Sequence, residues 1–324
     1  MKMKVFLVFV SAVLFAGIAQ SQIQKPKTEP SVLVKGPIGI ITRCVVNGGD
    51  IYWLEENGQN ILYTGKTGRY PAPLVRTNIK IELFIVDSTG VYYLSQNKYE
   101  WGETEKSFSM KGELRTTGKK RSITTLLPNI GIPASTFLTA DATDVYVLAL
   151  TEEQGGAIIK VPKTGGEPKY VASHILSAVS GAVDEKNIYL VDVAYNSVPQ
   201  VAKGGGELTI LFKPEGSSFE PLRIATADEH LYLATRSNDI YQISKADGRA
   251  RLLYQGKGLV FYGPSLVVDR ENLYWQEDNR IMRMSRKGGE ATALVRDASP
   301  TCIGLDDKYV YWFEAQKGLL KAEK

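Results

Sequence analysis

The sequence predicts an all-β fold: a seven-bladed β-propeller of four-stranded antiparallel blades, its ring closed by the N-terminal strand. Three observations predict it. A tyrosine recurs at Tyr52, Tyr92, Tyr146, Tyr189, Tyr232, Tyr274 and Tyr311, at intervals of 40, 54, 43, 43, 42 and 37 residues, the period of four-stranded propeller units. Each unit holds short apolar runs separated by turn residues, most plainly over residues 265–295, as a four-stranded meander requires. Runs such as 145–150 (VYVLAL) and 188–191 (IYLV) are apolar on both faces. Strands read this way when their sheet is packed between two neighbours.

The chain opens on a targeting segment. Lys2 and Lys4 precede an apolar run over 5–18, which is too short to span as a mature helix, and Gly17 and Ala19 offer a cleavage site before Gln20. Ala19 and Ser21 are the alternative pair of small residues for the cleavage site, and a retained membrane anchor is the alternative reading. Residues 1–19 are thus expected to be a signal peptide and 20–30 a polar spacer, followed by a propeller domain over 31–324. Residues 31–35 (SVLVK) are an apolar run with no partner run nearby, and the last unit ends one strand short, after 310–313 and 318–322. Pairing of Val32–Val34 with 318–322 would close the ring and remove an open edge.

The first unit covers about 39–76, and the others start near residues 79, 135, 176, 221, 263 and 300. The second is the longest, through two extra stretches at 95–106 and 115–121. Five residues before the tyrosine stands an acid: Asp87, Asp141, Asp184, Asp269 and Asp306. Asn47 takes this place in the first unit, and Ala227, with Asp228 beside it, in the fifth. An Asp or Asn side chain there closes a tight turn by accepting backbone amides two residues on. Later in each unit comes a glycine turn, as in Lys66-Thr-Gly68, Lys163-Thr-Gly-Gly166, Lys203-Gly-Gly-Gly206, Ala246-Asp-Gly248 and Lys287-Gly-Gly289. Glycine supplies the positive φ of a tight hairpin.

Tyr52-Trp53-Leu-Glu55, Tyr274-Trp275-Gln-Glu277 and Tyr311-Trp312-Phe-Glu314 resemble the YWTD repeat of low-density-lipoprotein-receptor-type propellers, a likeness that extends over residues 39–324. The resemblance implies a propeller that binds proteins and is not an enzyme. Two departures stand beside it: three of the seven copies carry the tryptophan, and YWTD propellers have six blades.

Charge is near balance, 39 basic against 35 acidic residues, which gives no reason to expect nucleic acid. There are two histidines, His174 and His230, too few for a three-histidine metal site, and the chain has no nucleophile-elbow, zinc-protease, phosphate-loop or EF-hand motif. No catalytic residue, metal or cofactor is expected. The recurring aspartates lie about a unit apart and cannot converge on one ion. The basic glycine turns (Lys66, Lys119, Lys120, Arg121, Lys163, Lys203, Arg286, Lys287) share a face with those aspartates, so they either bind anions or neutralise the acids.

The opposite face gathers the irregular connections, whose aromatics Tyr99, Trp101, Phe219, Phe261 and Tyr262 are candidate binding residues. Phe261 and Tyr262 could instead cap the next blade. His174, at a connection on that face, is the sixth candidate. The expected function is an exported binding module, periplasmic or secreted and monomeric, recognising a protein or an extracellular or periplasmic ligand. The alternative is a propeller-type enzyme, a lyase or lactone hydrolase, at the central channel mouth. Cys44 and Cys302 are the two cysteines of the chain and lie eight and nine residues before their tyrosines, in neighbouring innermost strands if the ring closes. They are expected either as a disulfide or as two buried thiols.

Overall fold

The computed structural model describes residues 29–324, except 42, 56, 69, 102–107, 119–121, 134–135, 152–154, 176, 215–218 and 258–265 and the side chains of 97–101 and 108–109. The signal peptide and most of the spacer expected above lie outside the described residues. Every regular element among the described residues is a strand.

After β1 (Ser31–Lys35) comes a four-stranded antiparallel blade of β2 (Cys44–Asn47), β3 (Asp50–Leu54), β4 (Asn60–Gly65) and β5 (Ala72–Arg76). One larger sheet holds β6 (Lys80–Val86), β7 (Val91–Trp101), β8 (Phe108–Thr117), β9 (Ile123–Ile132), β10 (Leu138–Ala140), β11 (Asp144–Thr151), β12 (Gly155–Pro162) and β13 (Lys169–Ala172). A blade of β14 (Ala178–Val183), β15 (Asn187–Asp192), β16 (Val198–Ala202) and β17 (Thr209–Phe212) follows. The next consists of β18 (Pro221–Ala227), β19 (His230–Thr235), β20 (Ile240–Ser244) and β21 (Ala250–Tyr254). Then come β22 (Leu266–Val268), β23 (Asn272–Glu277), β24 (Arg280–Ser285) and β25 (Thr292–Arg296). The last blade is β26 (Cys302–Leu305), β27 (Tyr309–Glu314) and β28 (Gly318–Glu323), with β1 as its fourth strand.

Seven separate four-stranded blades, as the period suggested, do not form. There are five four-stranded blades, and the long second and third units merge into one eight-stranded sheet. Residues 95–101 of the extra stretch, expected as part of a loop, accompany the merger. They lengthen β7, which stays paired with β8 as far as Trp101↔Phe108. β9 follows β8 up to Ile132↔Met110, and its end then meets β11 at Gly131↔Leu150. Gly131 allows this approach, because a Cβ there would stand 2.7 Å from the Leu150 Cβ and 2.8 Å from its carbonyl oxygen.

The core lies in the gaps between facing sheets. Tyr146, Leu148 and Ile158 pack against Ala178, Ile188 and Leu190, and Leu231 and Leu233 against Tyr189 and Val191. The eight-stranded sheet folds back on itself in the same way, with Tyr92, Leu94 and Leu114 facing Val145, Val147 and Ile159. β2, β6, β10, β14, β18, β22 and β26 each lie against the next, and β26 against β2. The first strands therefore circle a common axis, and the double-sided burial read from the sequence is explained.

The ring closes at two levels. On the outside β1 pairs antiparallel with β28, from Ser31↔Lys321 to Lys35↔Gly318. On the inside Cys44, first residue of β2, is joined to Cys302, first residue of β26, by a disulfide with its Cα atoms 6.0 Å apart. Trp53 and Phe313 fill the space between, ring centroids 5.3 Å apart.

Candidate functional site: the loop face

The two ends of the ring differ in how their polar groups are employed. At one end lie the turns joining first to second strands, where the recurring aspartates sit. Asp184 Oδ1 accepts the backbone amides of Lys186 and Asn187, and Oδ2 accepts the Tyr189 hydroxyl at 3.0 Å. Asp141 with Tyr146, Asp269 with Tyr274 and Asp306 with Tyr311 repeat the arrangement. The anchor tyrosine is thus a buried ring whose hydroxyl ties the turn to the second strand.

A cation from the following unit completes each link. Lys163 bonds Asp87, Lys203 bonds Asp141, Lys245 bonds Asp184 at 2.9 Å, Arg286 bonds Asp228 and Lys324 bonds Asp269 at 2.6 Å. Lys66 bonds Asp306 at 2.9 Å across the closure. Of the two readings of the basic turns, mutual neutralisation therefore holds at Lys66, Lys163, Lys203 and Arg286; Lys119, Lys120 and Arg121 lie outside the described residues. Asp228, whose turn has positive φ, takes Arg286 in place of its own tyrosine, and Arg286 Nε donates to the Tyr232 hydroxyl.

Burial alone would raise these carboxyls. At Asp184 the Asn187 amide, Lys245, the Lys186 amide and Tyr189 more than offset it, and at Asp306 Lys66, the Tyr309 amide and Tyr311 do the same, bringing both to about 2. Stability from a depressed carboxyl is complete above its unfolded value and disappears as pH falls through the folded one. Unfolding free energy is therefore expected to drop between about pH 4 and pH 2. An Asp184→Asn, Asp306→Asn variant should be less stable at neutral pH and show a shallower fall in that window. Urea midpoints followed with pH test this, and parallel profiles would contradict it.

The opposite end carries the connections between sheets and the second-to-third-strand loops. Acids three residues after the tyrosine brace these loops. Glu314 accepts the Trp312 indole N–H at 2.8 Å, and Glu277 accepts the Tyr254 hydroxyl and, at 3.1 Å, the Lys257 amide. In the first blade Glu55 accepts from the Asn60 amide group. The residues that resemble the YWTD repeat are thus spent on core and loop support.

Of the sequence-derived candidates, the side chains of Phe219 and His174 are among the described residues. Tyr99 and Trp101 stand in the extended part of β7, their side chains outside the described residues, and Phe261 and Tyr262 lie wholly outside them. Phe219 is core: it is 7% exposed and meets Phe212 and Tyr241 edge-on, at 5.8 and 5.4 Å. Its aromatic character in an irregular segment reads the same for packing as for recognition. His174 is exposed, at a φ of 62°, with Nδ1 2.9 Å from the Ser173 hydroxyl.

The sequence reading did not single out three charged residues at the loop end of the inner strands. Arg43 and Arg223 each stand nine residues before their anchor tyrosine, at one level of the inner wall. Glu82, in the neighbouring strand β6, is the residue skipped by the ladder between Ile81 and Leu83. A bulge turns a side chain out of the regular alternation. The signal available was an arginine at a repeat position that elsewhere holds Phe137, Ser180 or Cys302.

No protein-family model matches the chain, and no curated protein matches it. Solved structures do. The extracellular domain of BT4673 from B. thetaiotaomicron is similar at 10% identity and a TM-score of 0.62, over 91% of this chain and 39% of that one. BamB from Moraxella catarrhalis is similar at 13% identity and a TM-score of 0.54, over 88% of this chain and 84% of that one. The nidogen/laminin complex contains a chain 21% identical, with a TM-score of 0.48, over 64% of this chain and 83% of that one. The first two agree with the sheet arrangement: the fold is a β-propeller. Among the described residues no helix is long and apolar enough to cross a membrane.

Proposed function

We propose that this protein is an exported propeller that binds a partner, a protein or another extracellular or periplasmic ligand, through its loop face, and that it acts as a monomer. The observation that carries the reading is the contrast between the two ends. Acids and bases of the turn end are engaged with one another from unit to unit, while the loop end carries a hairpin whose strands run on to Trp101 and Phe108. An extended pair of strands holds a recognition loop on a rigid base, which lowers the ordering cost of binding. Export rests on the N-terminal segment of the sequence, and the likeness to an extracellular domain is in keeping with it.

Tyr99 and Trp101 are the proposed anchors. Replacing both by alanine is expected to leave the melting temperature nearly unchanged and to weaken partner binding by about 2 kcal/mol or more, as for interface hot spots. Pulldown from the native extracellular or periplasmic fraction, with wild type and the double variant side by side, measures it. Lost stability with retained binding would show two packed residues and overturn the assignment.

A further inference from the structure

We infer that a cavity in the eight-stranded sheet holds a small amphiphilic anion, its head met by Lys111 and Lys169 and its apolar body lying on core residues. The cavity has a volume of about 370 Å³, within the range of small-molecule sites. It opens where the sheet folds back on itself, and Leu127, Ile130 and Ile159 of the core between the two halves line it. β8 supplies Lys111, which is paired with Gly131 of β9; Gly131 in turn meets Leu150 of β11, another lining residue. From the other half β13 brings Lys169 and Tyr170, the latter paired with Ile159. The cavity thus owes its walls to the merger of two units into one sheet.

Its charges are unbalanced. No acid is among the residues that line it, and neither lysine has an ion pair or hydrogen bond among the described residues. The clefts at the turn end differ, since Asp184 is paired there with Lys245 and Asp228 with Arg286. Ammonium groups beside apolar walls attract an anion more strongly than in open water, because less solvent screens them. The same walls call for hydrocarbon on that anion, whose burial removes apolar surface from water. The ladder adds a second, independent signal. Between Gly112↔Ile130 and Leu114↔Leu127 it sets two residues, Pro128 and Asn129, against one. This bulge lines the cavity, and Asn129 has a φ of 54°. Bulges re-aim side chains beside binding sites. The Asn129 side chain, without a hydrogen bond among the described residues, has its amide N–H groups available to the anion. Tyr170, 57% exposed, adds an aromatic wall that solvent reaches.

The test is titration calorimetry of the full protein with octanoate and, separately, octyl phosphate, below their micelle concentrations and at constant ionic strength. Saturable binding at one site per chain is expected, and the tighter probe tells a carboxylate head from a phosphate. Acetate and inorganic phosphate, heads without a body, should bind about tenfold more weakly or worse, the value of a few buried methylenes. Lys111→Met, Lys169→Met and Tyr170→Ala should each weaken binding of the tighter probe several-fold. Lys169 and Tyr170 are exposed, so their variants are expected to fold as wild type does. Lys186→Met removes an exposed lysine of the turn end and should leave the affinity unchanged. Binding of neither amphiphile, equal binding of the bare heads, wild-type affinity in both Lys169→Met and Tyr170→Ala, or an equal loss in Lys186→Met would overturn the assignment.

Discussion

Replacing Cys44 and Cys302 together by alanine is expected to lower the unfolding free energy by about 5 kcal/mol, the value of the chain-entropy model for so long a loop. The crosslink spans a sequence separation of 258 residues, which takes in almost the whole ring. Without it the unfolded chain gains the freedom of a loop closed over four blades and the eight-stranded sheet. Alanine is the right replacement, since Cys302 is 7% exposed and a serine hydroxyl would be buried there. Its small size leaves a cavity that adds to the loss. Urea unfolding of wild type, reduced wild type and the double variant measures the effect. An unchanged midpoint, or two free thiols per chain in the unfolded and unreduced protein, would refute it.

Deleting the chain through residue 36 should have the second largest effect. It removes the β1 ladder on β28 and uncovers Leu319 and Leu320, which are 0% and 5% exposed, together with the contacts of Val34. A fully buried aliphatic side chain is worth about 1.5–3 kcal/mol, so the loss should exceed about 3 kcal/mol. The amide of Gly36, which bonds the carbonyl of Lys317, leaves with it. β28 then becomes an open edge, and self-association at high concentration is expected as well. Melting by calorimetry and size by light scattering read the two consequences. A truncated protein that melts as wild type would mean that β1 adds nothing to closure.

The binding residues were the least legible part. A strand that is apolar on both faces, a tyrosine every forty-odd residues and an aspartate five before it are signals carried within one unit, and they persist in the three-dimensional arrangement. Recognition surfaces have no such period. Phe219, aromatic and outside the strand pattern, turned inward because Phe212 and Tyr241 offered it a cavity, and composition alone does not tell that from an exposed anchor. For Tyr99 and Trp101 the sequence placed an insertion, but not that it would continue as paired strand.

What the sequence by itself determined is therefore everything that repeats locally. It fixed the meander, the aspartate turns, the glycine turns whose φ is positive at Gly288 and Gly289, and the acids and bases that share one face. The tertiary structure decided what depends on meeting across the ring. Asp306 finds Lys66, 240 residues earlier in the chain, and Cys302 finds Cys44, because closure brings them to one place. The blade count changed for the same reason. Strand pairing is a contact between distant backbones, and a longer β7–β8 hairpin carried β9 up to Leu150, where Gly131 left room for the two strands to join.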